Sequence, residues 1–525
     1  MTTFLVPLEM VAPTIEFGAL APVILLLAAA TLGMLVEAFV PRQLRFVVQL
    51  ILVVASFVTA FGYLIVNWGK GVKGILAMGS VMLDGPAYFQ WALLLIFGLM
   101  SMLVFAERQV NGGHSSFAAS ASAAPGSLDE EEAISARFEH TEVFPLGLFA
   151  VAGMMIFLAS NDLVMMFIAL EVFSLPLYLL SGMARKRRLL SQEAALKYLL
   201  LGALASAFFL FGVALMYGYS GSFELSAIDA SVSSPMFGRG LLYAGIAMLA
   251  IGLLFKVGAV PFHSWTPDVY MGAPTPVTGF MAIATKLAAV GAMLRVFFVA
   301  FGAERWTWQP LLAVIAVITM ITGAVLALTQ TDVKRMLAYS SIAHAGFILT
   351  AVVGASQDVP AGQATSVASV MFYMAAYGFA TIGAFAIVTM VRNPAGEENS
   401  IAGWAGLAHK SPVLAGLFAL FLLSFAGIPL TGGFIGKWAV FAAAWRGGFW
   451  WLVIVAVLVS LVAAYFYIRL IVVMFSERGA AETHVGQASA LTWVPIVAGA
   501  LGTLWLGLVP DQVMHLAALA GTFLR

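Results

Sequence analysis

Cysteine is missing from all 525 residues, which excludes disulfides, thiolate metal sites, iron–sulfur clusters and covalently attached haem. Histidine is sparse, with seven residues and no metal-ligand spacing such as HExxH. Any redox chemistry connected with the chain therefore belongs to another polypeptide. Charge is equally scarce. Only 10% of residues are Asp, Glu, Lys or Arg, and acids and bases balance at 25 each, so there is no basic field to hold nucleic acid. The opening stretch, MTTFLVPLEMVAPTIEFG, lacks a basic segment and carries Glu9 and Glu16. That argues against a cleaved signal peptide and for a retained first span.

What the chain has is hydrocarbon. Hydrophobic residues make up 62% of it and the mean hydropathy is +1.01, far outside the range of soluble domains. Apolar runs long enough for a bilayer core of about 30 Å fall near 18–40, 44–66, 85–106, 143–160, 162–183, 193–219, 240–263, 274–301, 308–329, 335–355, 365–391, 412–446, 449–475 and 490–509. The reading is an all-α polytopic membrane protein of about fourteen transmembrane helices. The run 412–446 would be about 52 Å long as one helix, so it is expected to break at GIPLTGG, residues 427–433, where Pro429 and three glycines oppose a regular helix.

Loops after odd-numbered spans hold thirteen Lys and Arg residues and loops after even-numbered spans only five, which predicts both termini on the non-cytoplasmic side. Residues 107–142, containing AASASAAPGS and DEEE, read as an acidic, flexible cytoplasmic insert.

Six basic residues lie inside spans: Lys197, Lys256, Lys286, Arg295, Lys437 and Arg469. Each is costly in hydrocarbon unless paired or hydrated. Arg295 and Arg469 lie within two turns of span ends and are expected to snorkel to the headgroups. Lys197 follows RKRRLLSQEAAL closely, so snorkelling and function both remain open. Lys286 lies near mid-span, and Lys256 and Lys437 each adjoin a Pro/Gly interruption. These three are candidates for protonatable sites, with packing as the alternative. Glu171 lies nine residues, about 14 Å, beyond Asp162 and needs a cation or a proton. A carboxylate and an ammonium about 6 Å apart interact by roughly 2.8 kcal/mol at an effective dielectric of about 20. Moving a proton against 100 mV takes about 2.3 kcal/mol, so making and breaking such pairs is energetically relevant to transport. His263, two residues after Pro261, and His344, ten after Lys334, fit either a water relay or a hydrogen-bonded packing role.

The segments LLFKVGAVPFHSW, 253–265, and SFAGIPLTGGFIGKW, 424–438, both set a lysine beside a Gly/Pro break and end in aromatics. They lie five spans apart, and an odd offset reverses direction across the membrane. Two inverted five-helix repeats follow, each with a broken helix: 143–301 and 308–475. They are preceded by three helices in 1–106 and the insert 107–142, and followed by a loop and last helix in 476–525.

LFKVGAVPFHSWTPDVYMGAPTPVTGFMAIATK, DVKRMLAYSSIAHAGF and GIPLTGGFIGKW resemble the subunit N family of bacterial proton-pumping NADH:quinone oxidoreductase, respiratory complex I. The resemblance runs from about Phe144 to Phe475. It implies an antiporter-like membrane subunit of the bacterial plasma membrane, partnered by the other antiporter-like and membrane-arm subunits. It implies that NADH, FMN, iron–sulfur clusters and quinone are bound elsewhere and that this chain holds no cofactor or metal. By position it assigns proton translocation to Glu171 and Lys197 as the acid–lysine pair, Lys256 at the first broken helix, Lys286 at the centre and Lys437 at the second broken helix. Two departures stand out. VMFYMAAYGFATIGAFAIV, the eleventh span, lacks the basic residue of the sister subunits, as is usual for subunit N, leaving the second half-channel to Lys437, water and His344. The acidic insert is outside the family pattern. A multi-subunit sodium/proton antiporter and a non-conducting structural subunit are the competing functions.

Overall fold

The computed structural model describes residues 15–119, 127–135, 139–234, 238–355, 364–394, 396–476 and 483–524. Glu9 and the loop cations Arg137 and Arg478 lie outside them.

The chain is a bundle of helices. In order, the helices that build the crossings and their breaks are α1 (Phe17–Phe39), α2 (Arg42–Gly69), α3 (Gly85–Phe105), α4 (Val143–Ala159), α5 (Leu163–Ser181), α6 (Arg188–Ser220), α7 (Gly240–Val257) and α8 (Trp265–Gly272). Then come α9 (Thr275–Ala300), α10 (Arg305–Leu328), α11 (Val333–Val353), α12 (Ser366–Met390), α13 (Pro412–Ala426), α14 (Gly432–Arg446), α15 (Trp450–Met474) and α16 (Ala490–Leu508). Twelve helices among the described residues are long and apolar enough to cross a membrane. The shorter α4 and the broken pair α13–α14 complete the fourteen crossings read from the sequence. Two boundaries differ by five residues or more, the first being the sixth span, which starts at Arg188 instead of 193. The seventh span stops at Val257 instead of 263 and resumes as α8.

Both breaks use the same backbone device. At the end of α7, Gly258 has φ +80° and its N–H bonds the carbonyls of Leu254 and Phe255, while the Ala259 N–H reaches back to Leu254. At the end of α13, Gly427 has φ +81°, with its N–H on Leu423 and Ser424 and the Ile428 N–H on Leu423. A residue in the left-handed region closes the helix and satisfies its last carbonyls, and glycine does this without Cβ strain.

A second correspondence sits at the starts of α5 and α11. Asp162 accepts from the Met165 N–H at 2.6 Å and Asp332 from the Arg335 N–H at 2.9 Å, each as an N-cap. Each start is also tied to a later loop: Leu163 and Asn161 to Phe223 and Leu225, Val333 and Thr331 to Asn399 and Ile401. These pairs again lie five crossings apart, as inverted repeats require.

Helices α9, α11 and α12 are buried almost throughout, whereas α2, α6 and α15 bury one face and expose Leu, Ile and Val on the other. Small residues let α10 and α11 approach closely. A Cβ on Gly323 would sit 2.4 Å from the Ala343 nitrogen, and one on Gly346 2.6 Å from the Met320 nitrogen.

The described parts of the insert are held against the bundle, unlike the flexible segment expected. Ser116 to Ala118 pair with Met183 to Arg185 through backbone hydrogen bonds of 2.8 and 3.0 Å, and Phe117 is fully buried with its ring 5.3 Å from that of Phe105. Glu107 accepts from Ser489 and Thr492 ahead of and inside α16. The acidic run forms a short helix, Leu128–Ser135, with Asp129, Glu131 and Glu132 exposed. A few apolar side chains and a sheet-like seam are enough to dock the start of the insert, through Ser116 to Ala118.

Candidate functional site

Lys256 lies in the last turn of α7, just before the first break, and is 1% exposed. Its Nζ donates to Ser174 Oγ at 2.7 Å and lies 5.3 to 5.5 Å from the ring centres of Phe173, Tyr178 and Tyr198. Ser174 is one helical turn beyond Glu171, on the same face of α5. Glu171 is half-buried, its Oε1 has no hydrogen-bond partner among the described residues, and its charge acts on Lys256. The aromatic faces and the last carbonyls of α7 both favour a cation here.

Lys286 follows a wide π-helical turn, Met281–Thr285, inside α9. Such turns recur at functional sites because they re-aim the next side chain. Its Nζ donates to the Ser341 carbonyl on α11 at 2.5 Å, and the residue is 2% exposed. One turn beyond Ser341 region, His344 faces the same interior. Its Nδ1 meets the Tyr373 hydroxyl at 2.5 Å and its Nε2 the Tyr467 hydroxyl at 3.2 Å, and that hydroxyl also bonds Ser340 Oγ. The charges of both Lys286 and Lys437 act on His344.

Lys437, 5% exposed on α14, reaches back across the second break. Its Nζ donates to the Ala426 carbonyl, the last of α13, at 2.9 Å and to Ser460 Oγ at 2.7 Å. Lys256 therefore precedes its break and Lys437 follows its own; the Lys437 ammonium bonds the last carbonyl of its half-helix, whereas that of Lys256 turns to Ser174 on α5.

Two positions differ from expectation. Lys197 is not joined to Glu171. Its side chain is 42% exposed and pairs with Glu193 at 2.7 Å and Asp268 at 2.8 Å. The turn of α6 that carries it faces outward, which depth along the sequence does not reveal. Arg295 does not snorkel. It is buried, holds Asp84 through two hydrogen bonds of 3.0 and 2.8 Å and donates to the Leu158 carbonyl at 2.9 Å. Arg469 stays exposed, with a 3.3 Å bond to the Leu328 carbonyl. His263 lies half-buried in the first break with its Nδ1 unpartnered among the described residues.

Sequence reading missed the neutral partners Ser174, Ser341 and Ser460 and the hydroxyls of Tyr373 and Tyr467. The three-residue step from Glu171 to Ser174 was a usable signal; the others come from distant segments. Among the described residues no group of three or more His, Asp or Glu side chains could hold a metal.

Comparison with known proteins bears on this arrangement. The family described as NADH:quinone oxidoreductase/Mrp antiporter, TM, matches residues 160–463. NADH-quinone oxidoreductase subunit N of Nocardioides sp. is 52% identical, over 99% of this chain and 100% of that protein. The chain belongs to the NADH-quinone oxidoreductase subunit N family. A chain of respiratory complex I from Thermus thermophilus, solved with bound aureothin, is 32% identical with a TM-score of 0.75, covering 95% of this chain and 100% of that one. A chain of the Mrp complex from Dietzia sp. is 20% identical with a TM-score of 0.79 over 97% of each, a likeness of fold alone. The subunit N family thus accounts for the antiporter-like membrane fold.

Proposed function

We propose that this chain moves protons across a bacterial membrane as an antiporter-like subunit of NADH:quinone oxidoreductase, in contact with the other membrane-arm subunits. NADH, FMN, iron–sulfur clusters and quinone act in other subunits, and charge movement there is passed on electrostatically. Both termini face away from the cytoplasm. Within the chain, Glu171 modulates Lys256, Lys286 holds the centre, His344 links it to Lys437, and each lysine gains and loses a proton in turn.

The observation that carries this reading is the kind of partner each lysine has. Lys256, Lys286 and Lys437 are buried and hydrogen-bonded to neutral serine hydroxyls and carbonyls, with no carboxylate within ion-pair distance among the described residues. A buried cation kept for structure is paired, as Arg295 is with Asp84. An ammonium solvated only by neutral dipoles at low dielectric is stabilised little enough to release its proton when a neighbouring charge changes. Lys197, exposed and doubly paired, belongs to the outer rim of this system rather than its core.

The test is NADH-driven proton uptake into vesicles containing the purified complex, in sodium-free and sodium-containing buffer. Acidification independent of sodium supports the proposal. A strict requirement for sodium would transfer the chain to the antiporter reading, and unchanged acidification in Lys256→Ala and Lys437→Ala complexes would leave only a structural role.

A further inference from the structure

A cavity of about 360 Å³ opens at one end of the bundle and lies apart from the lysine row. Five cations line it, Arg185, Lys186, Arg187, Lys334 and Arg392, against a single carboxylate, Glu397. That carboxylate is already engaged, accepting from the Thr275 hydroxyl at 2.5 Å with Lys334 Nζ at 3.7 Å. Arg185 Nη1 is buried with no hydrogen-bond partner among the described residues, its charge offset in part by the Glu139 carboxylate. Arg392, itself buried, has one long bond of 3.4 Å to the Thr389 carbonyl. Partial desolvation at the cavity rim and then the Arg392 charge hold the Lys186 ammonium below its ordinary range. The folded chain thus gathers like charges around a ligand-sized void and leaves donors unused, which costs free energy unless an anion completes the site.

A mouth lined by cations repels hydronium, so the cavity is a poor inlet for protons. Its position points to a different occupant. Arg185 to Arg187 follow the end of α5 at Ser181, Arg392 follows the end of α12 at Met390, and Lys334 is the second residue of α11. Helix ends lie at the level of lipid headgroups, where basic pockets between helices take phosphate. Guanidinium forks match phosphate oxygens in a bidentate manner. We propose that this cavity binds a phosphate group, carried by an anionic phospholipid headgroup or present as free phosphate, through Arg185, Lys186 and Arg392.

The experiment compares intact complexes carrying wild-type chain, Lys186→Glu and Lys186→Arg; Lys186 is exposed, and Lys186→Arg controls for its contact with Gly396. Native mass spectrometry after detergent exchange counts retained phospholipids, and equilibrium dialysis of delipidated complex measures radiolabelled inorganic phosphate. One anionic phospholipid retained by wild type and Lys186→Arg and lost from Lys186→Glu assigns a lipid headgroup. Equal lipid, with inorganic phosphate bound about tenfold more weakly by Lys186→Glu, assigns free phosphate. Equal lipid retention and equal phosphate binding in wild type and Lys186→Glu would overturn the proposal. Arg392→Gln, read in the same two assays, gives an independent second result.

Discussion

Arg295 grips Asp84 in a fully buried, two-pronged ion pair that ties α9 to the cap of α3. It marks the difference between a buried cation that holds the fold and the three lysines whose hydrogen bonds go to neutral oxygens.

Removing one half of that pair strands the other in a low-dielectric interior. Arg295→Met or Asp84→Ala alone is expected to destabilise the chain by about 3–5 kcal/mol, seen as lost assembly and a lower melting temperature of the complex. The double replacement is expected to recover part of the loss, and a double-mutant cycle with no coupling would contradict the assignment.

Gly427 is required twice over. Its φ of +81° costs an L-residue about 1–2 kcal/mol, and an added Cβ would lie 2.8 Å from Lys437 Cδ. Gly427→Ala is expected to lower stability modestly and pumping strongly, because the displaced Lys437 loses its bond to Ala426. Thermal unfolding and proton uptake measured on the same preparation separate the two effects.

Much of this was legible in the chain itself. Hydropathy alone located the spans, GIPLTGG located the second break, and the depths of Lys256, Lys286 and Lys437 follow from their places in the apolar runs. Arg295 was misread because its partner Asp84 lies 211 residues away, in a loop that looks solvated until the helices pack. Lys197 was left open between snorkelling and function for a related reason: a sequence position fixes height along a helix, but only packing decides which face turns inward. The docking of Phe117 depends on a backbone seam with residues 183–185, for which low-complexity composition carries no signal.

The hydroxyl of Tyr467 bridges Ser340 and His344. Tyr467→Phe keeps the ring and deletes that bridge, so the complex is expected to assemble normally and pump several-fold more slowly, with His344→Gln showing a similar defect. Wild-type pumping in both variants would remove His344 from the pathway.

Lys197 pairs with Glu193 and Asp268 at the surface, and such exposed pairs contribute about 1 kcal/mol or less. Lys197→Gln is expected to leave stability nearly unchanged and to slow proton transfer far less than Lys256→Ala. Equal defects in the two variants, measured as initial rates of acidification, would restore Lys197 to the core of the pathway.

The most direct measurement is the number of protons moved per NADH oxidised by reconstituted complex carrying Lys286→Met, a replacement that fills the same space without a titratable group. The ratio is predicted to fall while the complex remains assembled. A ratio equal to wild type would show that the buried ammonium at the centre of the chain carries no protons.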